Sequence, residues 1–156
     1  MARSTKPRRA YRPRYVAGHM LLPSQRDKIA LPAHMALNAI EIGAGKIEHR
    51  HTLAASLNIF AALAAKLPNV ASETRTAINA GQDALVSADR RFLKSERWGL
   101  SGPEMLALRQ AVTLGDELLK RANSATLKSL VEWIYQVNDR TPEVLGTADA
   151  PLGAPA

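Results

Sequence analysis

Apolar residues recurring every three or four positions, in runs separated by proline and glycine, restrict this chain more than any other feature. That spacing gathers each run onto one face of a helix. A helix with one apolar face must bury it against another layer. Composition narrows the choice, because 46% of the 156 residues are hydrophobic but only 4% are aromatic. The core must then be built from Ala, Leu, Ile and Val, which suit closely packed helices. A chain of this length buries roughly 68–70% of its unfolded surface and needs neither metal nor disulfide to fold. The expected fold class is all-α: a four- or five-helix bundle over residues 24–140. A basic extended N-terminal arm (1–23) precedes it, and a mobile C-terminal tail (141–156) follows.

The breaks between runs set the helix boundaries. A short helical turn can follow Ser24, but the pattern predicts the first full helix from near Pro32, since proline at the first helical position sacrifices no needed hydrogen bond. That helix turns Ala36, Leu37 and Ile40 inward and stops at Gly43, a residue suited to a left-handed C-cap. Gly43-Ala44-Gly45 is a tight connector to an antiparallel helix over about 47–67, with a stripe of Leu53, Leu57, Phe60, Ala61, Ala64 and Leu67. Pro68 closes it, and Asn69 or Ser72 can cap a long third helix to about Trp98. Its inward stripe is Ala71, Ile78, Gly81, Leu85, Ala88 and Phe92. Ser101-Gly102-Pro103-Glu104 has the form of a capping box. The fourth helix follows with Met105, Leu108, Val112, Gly115, Leu119 and Ala122. A break is expected near Asn123-Ser124, one continuous helix to about Asn138 being the alternative. Beyond it Leu127, Leu130, Ile134 and Val137 continue an apolar stripe. The tail from Thr141, with Pro142, Gly146, Pro151, Gly153 and Pro155, has too few large apolar residues to pack.

Charge is distributed unevenly. Arg3, Lys6, Arg8, Arg9, Arg12 and Arg14 place six cations and no acid in the first fourteen residues, out of a net charge of +7. The rest of the chain has 15 basic against 14 acidic residues, so the excess belongs to an appendage. Between Lys6 and Tyr15 the cations alternate with Tyr11 and Tyr15. Guanidinium groups pair with phosphates and tyrosines stack on unpaired bases, a composition suited to sequence-nonspecific nucleic-acid binding. The plainer readings are a solubilising tail or an arm that docks on an acidic protein partner. Lys6, Arg8, Arg9, Tyr11, Arg12 and Arg14 are therefore candidate contact residues. Arg90, Arg91, Lys94 and Arg97, near Trp98 at the end of the third helix, form a second candidate patch, partly neutralised by Asp89 and Glu96. Cations there also complement the helix dipole, which is a sufficient structural reason for them.

Other chemistry finds less footing. Without cysteine there are no disulfides, thiolate–metal sites or thiol nucleophiles. The Glu48-His49-Arg50-His51 run places two histidines two apart on a helix, pointing different ways, and a metal would need a third ligand from elsewhere. There is no nucleophile elbow, P-loop or dinucleotide fingerprint. Gly43-Ala44-Gly45-Lys46 joins two helices, so its glycines serve the turn. A non-enzymatic protein with no cofactor is expected. The most apolar stretch, Leu53 to Leu67, is interrupted by Ser56, Asn58 and Lys66 and is no membrane span. No apolar core of secretory type follows the arm, and Pro7 and Pro13 would break a transit-peptide helix.

Two stretches, Lys6-Pro-Arg-Arg-Ala-Tyr-Arg-Pro-Arg-Tyr15 and His51-Thr-Leu-Ala-Ala-Ser-Leu-Asn-Ile-Phe60, resemble segments of uncharacterised small helical proteins of bacterial prophages and other mobile elements. The resemblance is one of general layout and covers the arm and the helices to about residue 138. It implies a cytoplasmic accessory protein and transfers no active-site residue. Two roles follow from it: contacting or coating nucleic acid, or binding and blocking a host defence or nucleic-acid-processing complex. In either role the helical body can set geometry or form a homo-oligomer.

Overall fold

A computed structural model describes residues 18–95, 98–130 and 132, and within them the protein is an all-α bundle. Four long helices, α1 (Pro23–Glu41), α2 (Ile47–Lys66), α3 (Ser72–Ser95) and α4 (Gly102–Arg121), run alternately up and down. A short α5 over residues 124–130 closes one end. The predicted break between the last two helices is present. Asn123 accepts the Thr126 N–H on its Oδ1 at 2.8 Å, a side-chain cap that begins α5 afresh after the extended Ala122. The arm up to residue 17, the tail from 141, and Ile134 and Val137 lie outside the described residues.

The core is aliphatic around one aromatic ring. Leu53, Leu57, Phe60 and Leu63 of α2, Ile78 of α3, Leu108, Leu118 and Leu119 of α4 and Leu130 of α5 are fully enclosed. The α3–α4 seam is the tightest because small residues line it. A Cβ on Gly81 would come 2.6 Å from the Ala111 methyl across this seam, and one on Gly115 of α4 would sit inside the van der Waals envelope of the Phe60 ring of α2. Either approach is open only to glycine. The α1–α2 connector is also as the spacing predicts. Gly43 has φ +76°, its N–H bonds the Ile40 carbonyl, and the Ala44 N–H reaches Ala39 O at 2.8 Å, which together form a Schellman turn.

Two boundaries and one apolar stripe differ from expectation. Helix α1 begins at Pro23 and not near Pro32, because Pro23 takes the first-turn position and Gln25 Oε1 accepts the Leu22 N–H at 2.9 Å. Pro32 sits inside the helix on its exposed side, where water can serve the carbonyl its missing N–H leaves free. The body also starts before residue 24. Leu21 is buried, Met20 pairs with Asn123, and His19 O accepts from Ser124 N at 2.8 Å. In α3 the stripe is narrower than the sequence suggests: Ile78, Gly81, Leu85 and Ala88 are buried, whereas Ala71 is exposed and Phe92 is 40% exposed. Asn69 occupies the left-handed region at φ +55° in the turn before α3, and the helix itself runs to Ser95.

Candidate nucleic-acid interface

Six of the predicted contact residues, Lys6, Arg8, Arg9, Tyr11, Arg12 and Arg14, lie outside the described residues, as does Arg97. What the structure fixes is the point from which the arm departs. Gly18 is wedged against Asn123 and Ala125, with no room for a Cβ, so the chain enters the body beside the junction of α4 and α5. At that same end Arg121 donates to the Pro68 carbonyl, and Lys66 Nζ donates to Ser129 Oγ at 3.0 Å. The arm is rooted at the pole holding the α3 N-terminus.

The second patch is at the other pole. Arg90 and Lys94 lie 18 and 22 residues into α3, which at 1.5 Å per residue puts Arg90 roughly 27 Å from the helix start. Arm root and patch do not share an end. Nor are the patch's charges all available. Arg91 donates two bonds to the Glu104 carboxylate and a third to Gly99 O at 2.9 Å, stapling α3 to the start of α4. Glu104 also accepts the Ser101 N–H at 2.7 Å, the glutamate half of the expected capping box. The Arg91 hydrogen bonds, helped by those from Ser101 and opposed by burial, hold the Glu104 carboxyl down to about 2 from its ordinary 4.5. In turn the carboxylate raises the Arg91 pKa. Arg91 is thus a structural residue, and among the described cations of this patch Arg90 and Lys94 alone stay exposed without an ion-pair partner.

Asp89, expected to neutralise the patch, faces away from it. Its carboxylate takes a two-pronged bond from Arg50 of α2, and both side chains are about one-quarter exposed. Two further carboxylates are engaged along the α1–α4 seam. Arg109 donates to Glu41, which raises the arginine's pKa, and His34 Nε2 lies 2.7 Å from Asp116 Oδ2. Glu117 and Glu132 pair with Lys120 and Lys128. The carboxylates left without an ion pair among the described residues are Asp27, Glu48, Glu73 and Asp83, spread over three helices.

Two of the histidines, His34 and His49, make structural bonds. His49 Nδ1 accepts the Lys46 N–H at 2.9 Å and so caps α2. Among the described residues no three His, Cys, Asp or Glu side chains are grouped closely enough to hold a metal ion. No described helix is long and apolar enough to cross a membrane. A shallow cleft of about 300 Å³ between α2 and α3 is lined by alanines, Ile78, Asn79 and Arg75, whose Nε is spent on Ala64 O. It brings no pair of acid–base groups together. No protein-family model, curated protein or solved structure matches the chain.

The sequence reading missed the exposure of Ile47, Val86 and Leu93 on the outside of the bundle. A signal for it was present, since Val86, Arg90 and Leu93 fall on the side of α3 opposite Gly81, Leu85 and Ala88. The pairing choices of Arg50, Asp89 and Glu104 carried no local signal, because each partner is distant in sequence.

Proposed function

We propose that the protein is a non-enzymatic, nucleic-acid-associated accessory protein of the phage or mobile-element type, acting in the cytoplasm. Its arm supplies the affinity. Lys6, Arg8, Arg9, Arg12 and Arg14 neutralise phosphates, and Tyr11 stacks on unpaired bases, so binding is indifferent to sequence. The helical body fixes where the arm starts and what it carries.

One observation carries this reading. Among the described residues six of the ten carboxylates are already bonded to basic side chains of the body, His34 being one of these, and the remaining four are scattered. Among the described residues there is therefore no concentrated acidic surface on which six adjacent cations would fold back. An outside polyanion is the favoured counterpart of a charge excess that the folded part does not neutralise.

The test is a salt series of binding isotherms for the full chain on a fluorescent duplex and on a single strand of equal length. Five cations meeting phosphates give a slope of log K against log salt of about −4.5 on duplex and about −3.5 on single strand. Removing residues 1–14 is expected to abolish binding at physiological salt while leaving the thermal melt of the body unchanged. An affinity that ignores salt, or that survives the deletion, overturns the proposal.

A further inference from the structure

The outer surface shared by α2 and α3 has a character that the arm's chemistry does not account for. Two hydrogen-bonded pairs set the register of these antiparallel helices, Arg50 with Asp89 and Asn58 with Gln82. That register puts Ile47 level with Phe92 and Leu93, near the C-terminal end of α3. Ile47 is 51% exposed, Leu93 71% and Val86 41%. On α3, Val86, Arg90, Leu93 and Lys94 share the solvent side, at the i, i+4, i+7 and i+8 positions of one helical face. Aliphatic side chains and unpaired cations are interleaved there. Asp89 is withdrawn into its bond with Arg50, and the unpaired Asp83 and Glu48 flank Val86 and Ile47, so the cationic end of the face is the one formed by Arg90, Leu93 and Lys94.

We propose that this face docks an acidic amphipathic helix of a partner protein, an interaction beyond the nucleic-acid role of the arm. Charge complementarity selects the occupant. An apolar stripe flanked by Arg90 and Lys94 matches a helix whose leucine-like anchors are flanked by glutamate or aspartate. Nucleic acid is a poorer match, because Ile47, Val86 and Leu93 offer aliphatic surface where bases need flat rings to stack on. The pole opposite the arm root leaves this face unobstructed when the arm is engaged. The other outward stripe, Leu31, Met35 and Ile42 of α1, has no comparable pair of adjacent cations, since Lys28 stands beside it with Asp27 as its neighbour.

The experiment uses the full chain and a fluorescent synthetic helical peptide with leucines at i, i+3, i+4 and i+7 and glutamates at the flanking positions. The control peptide replaces each glutamate with lysine. Saturable binding of the acidic peptide is expected, at least tenfold tighter than the control. The double charge reversal R90E/K94E and the single change L93S should each weaken it at least tenfold, while Leu31→Ser leaves it unchanged. Amide NMR shifts are expected at Ile47–His51 and Val86–Lys94. Thermal melts confirm that these surface variants fold, and deleting residues 1–14 should leave peptide binding intact, which separates this outcome from that of the arm. The proposal is overturned by any of four results: no binding, binding that ignores charge reversal, shifts confined to α1, or a dimer of the chain alone that L93S disperses. A single-stranded oligonucleotide that moves the same amides with equal affinity overturns it too, in favour of a nucleic-acid surface.

Discussion

The α3–α4 seam and the attachment of α1 hold the same bundle together in different ways. Across α3 and α4, Gly81 lets the backbones approach until Ala111 fills the space, and across α2 and α4 Gly115 does the same for the Phe60 ring, so cohesion there comes from contact at close range. Helix α1 buries only Ala33, Ala36, Leu37 and Ile40, and is tied to α4 by two polar pairs seven residues apart, His34 with Asp116 and Glu41 with Arg109. Solvent-exposed pairs contribute little to stability. The contrast teaches that α2, α3 and α4 form the rigid part and that α1 is the more easily released element.

The difference can be broken most sharply at Gly115. A valine there has no room beside Phe60, and we expect a loss of about 3 kcal/mol, seen as a much lower denaturation midpoint. On the other side of the comparison, Leu37→Ala should cost about 2 kcal/mol, near the low end for a buried leucine because the helix edge can relax around it. Native-state hydrogen exchange then sharpens the picture: amides of α1 should open at lower free energy than those of α3 and α4. Equal protection across all four helices would remove the distinction. Glu41→Gln should raise exchange in α1 alone and leave the α3–α4 amides as they were.

The smallest effect concerns acid. Glu104 is held at about 2, below its ordinary 4.5, so its contribution is complete above 4.5 and disappears as the pH falls toward 2. Denaturant titrations of the protein and of Glu104→Gln should differ near neutrality and converge near pH 2. A gap of constant size across that range would mean that the carboxylate's charge is not what fastens α3 to α4.

Where helix boundaries depended on residues with one dominant backbone preference, they were legible in the sequence. Gly43 ends α1, Pro68 follows α2, and Asn123 starts α5, because each acts through bonds only a few residues away. Pro32 misled, since the same residue type opens a helix or tolerates an exposed interior position, and Pro23 was the better opener. The functional patch was less legible. Arg90, Arg91 and Lys94 are neighbours in sequence, yet Arg91 alone meets Glu104 across the α3–α4 connection, and Asp89 turns to Arg50 thirty-nine residues away. Which charges remain for a partner is decided by tertiary pairing, which local spacing does not encode.

The meeting of Gly18–Leu22 with the α4–α5 junction has a mechanical consequence. Gly18 and the start of α5 meet at one pole, so tension applied between them does not stretch the long helices lengthwise. It falls first on the single bond from Ser124 N to His19 O and on the lone Met20–Asn123 bridge. A pull on the arm would peel this small clasp away while the long helices stay unstrained.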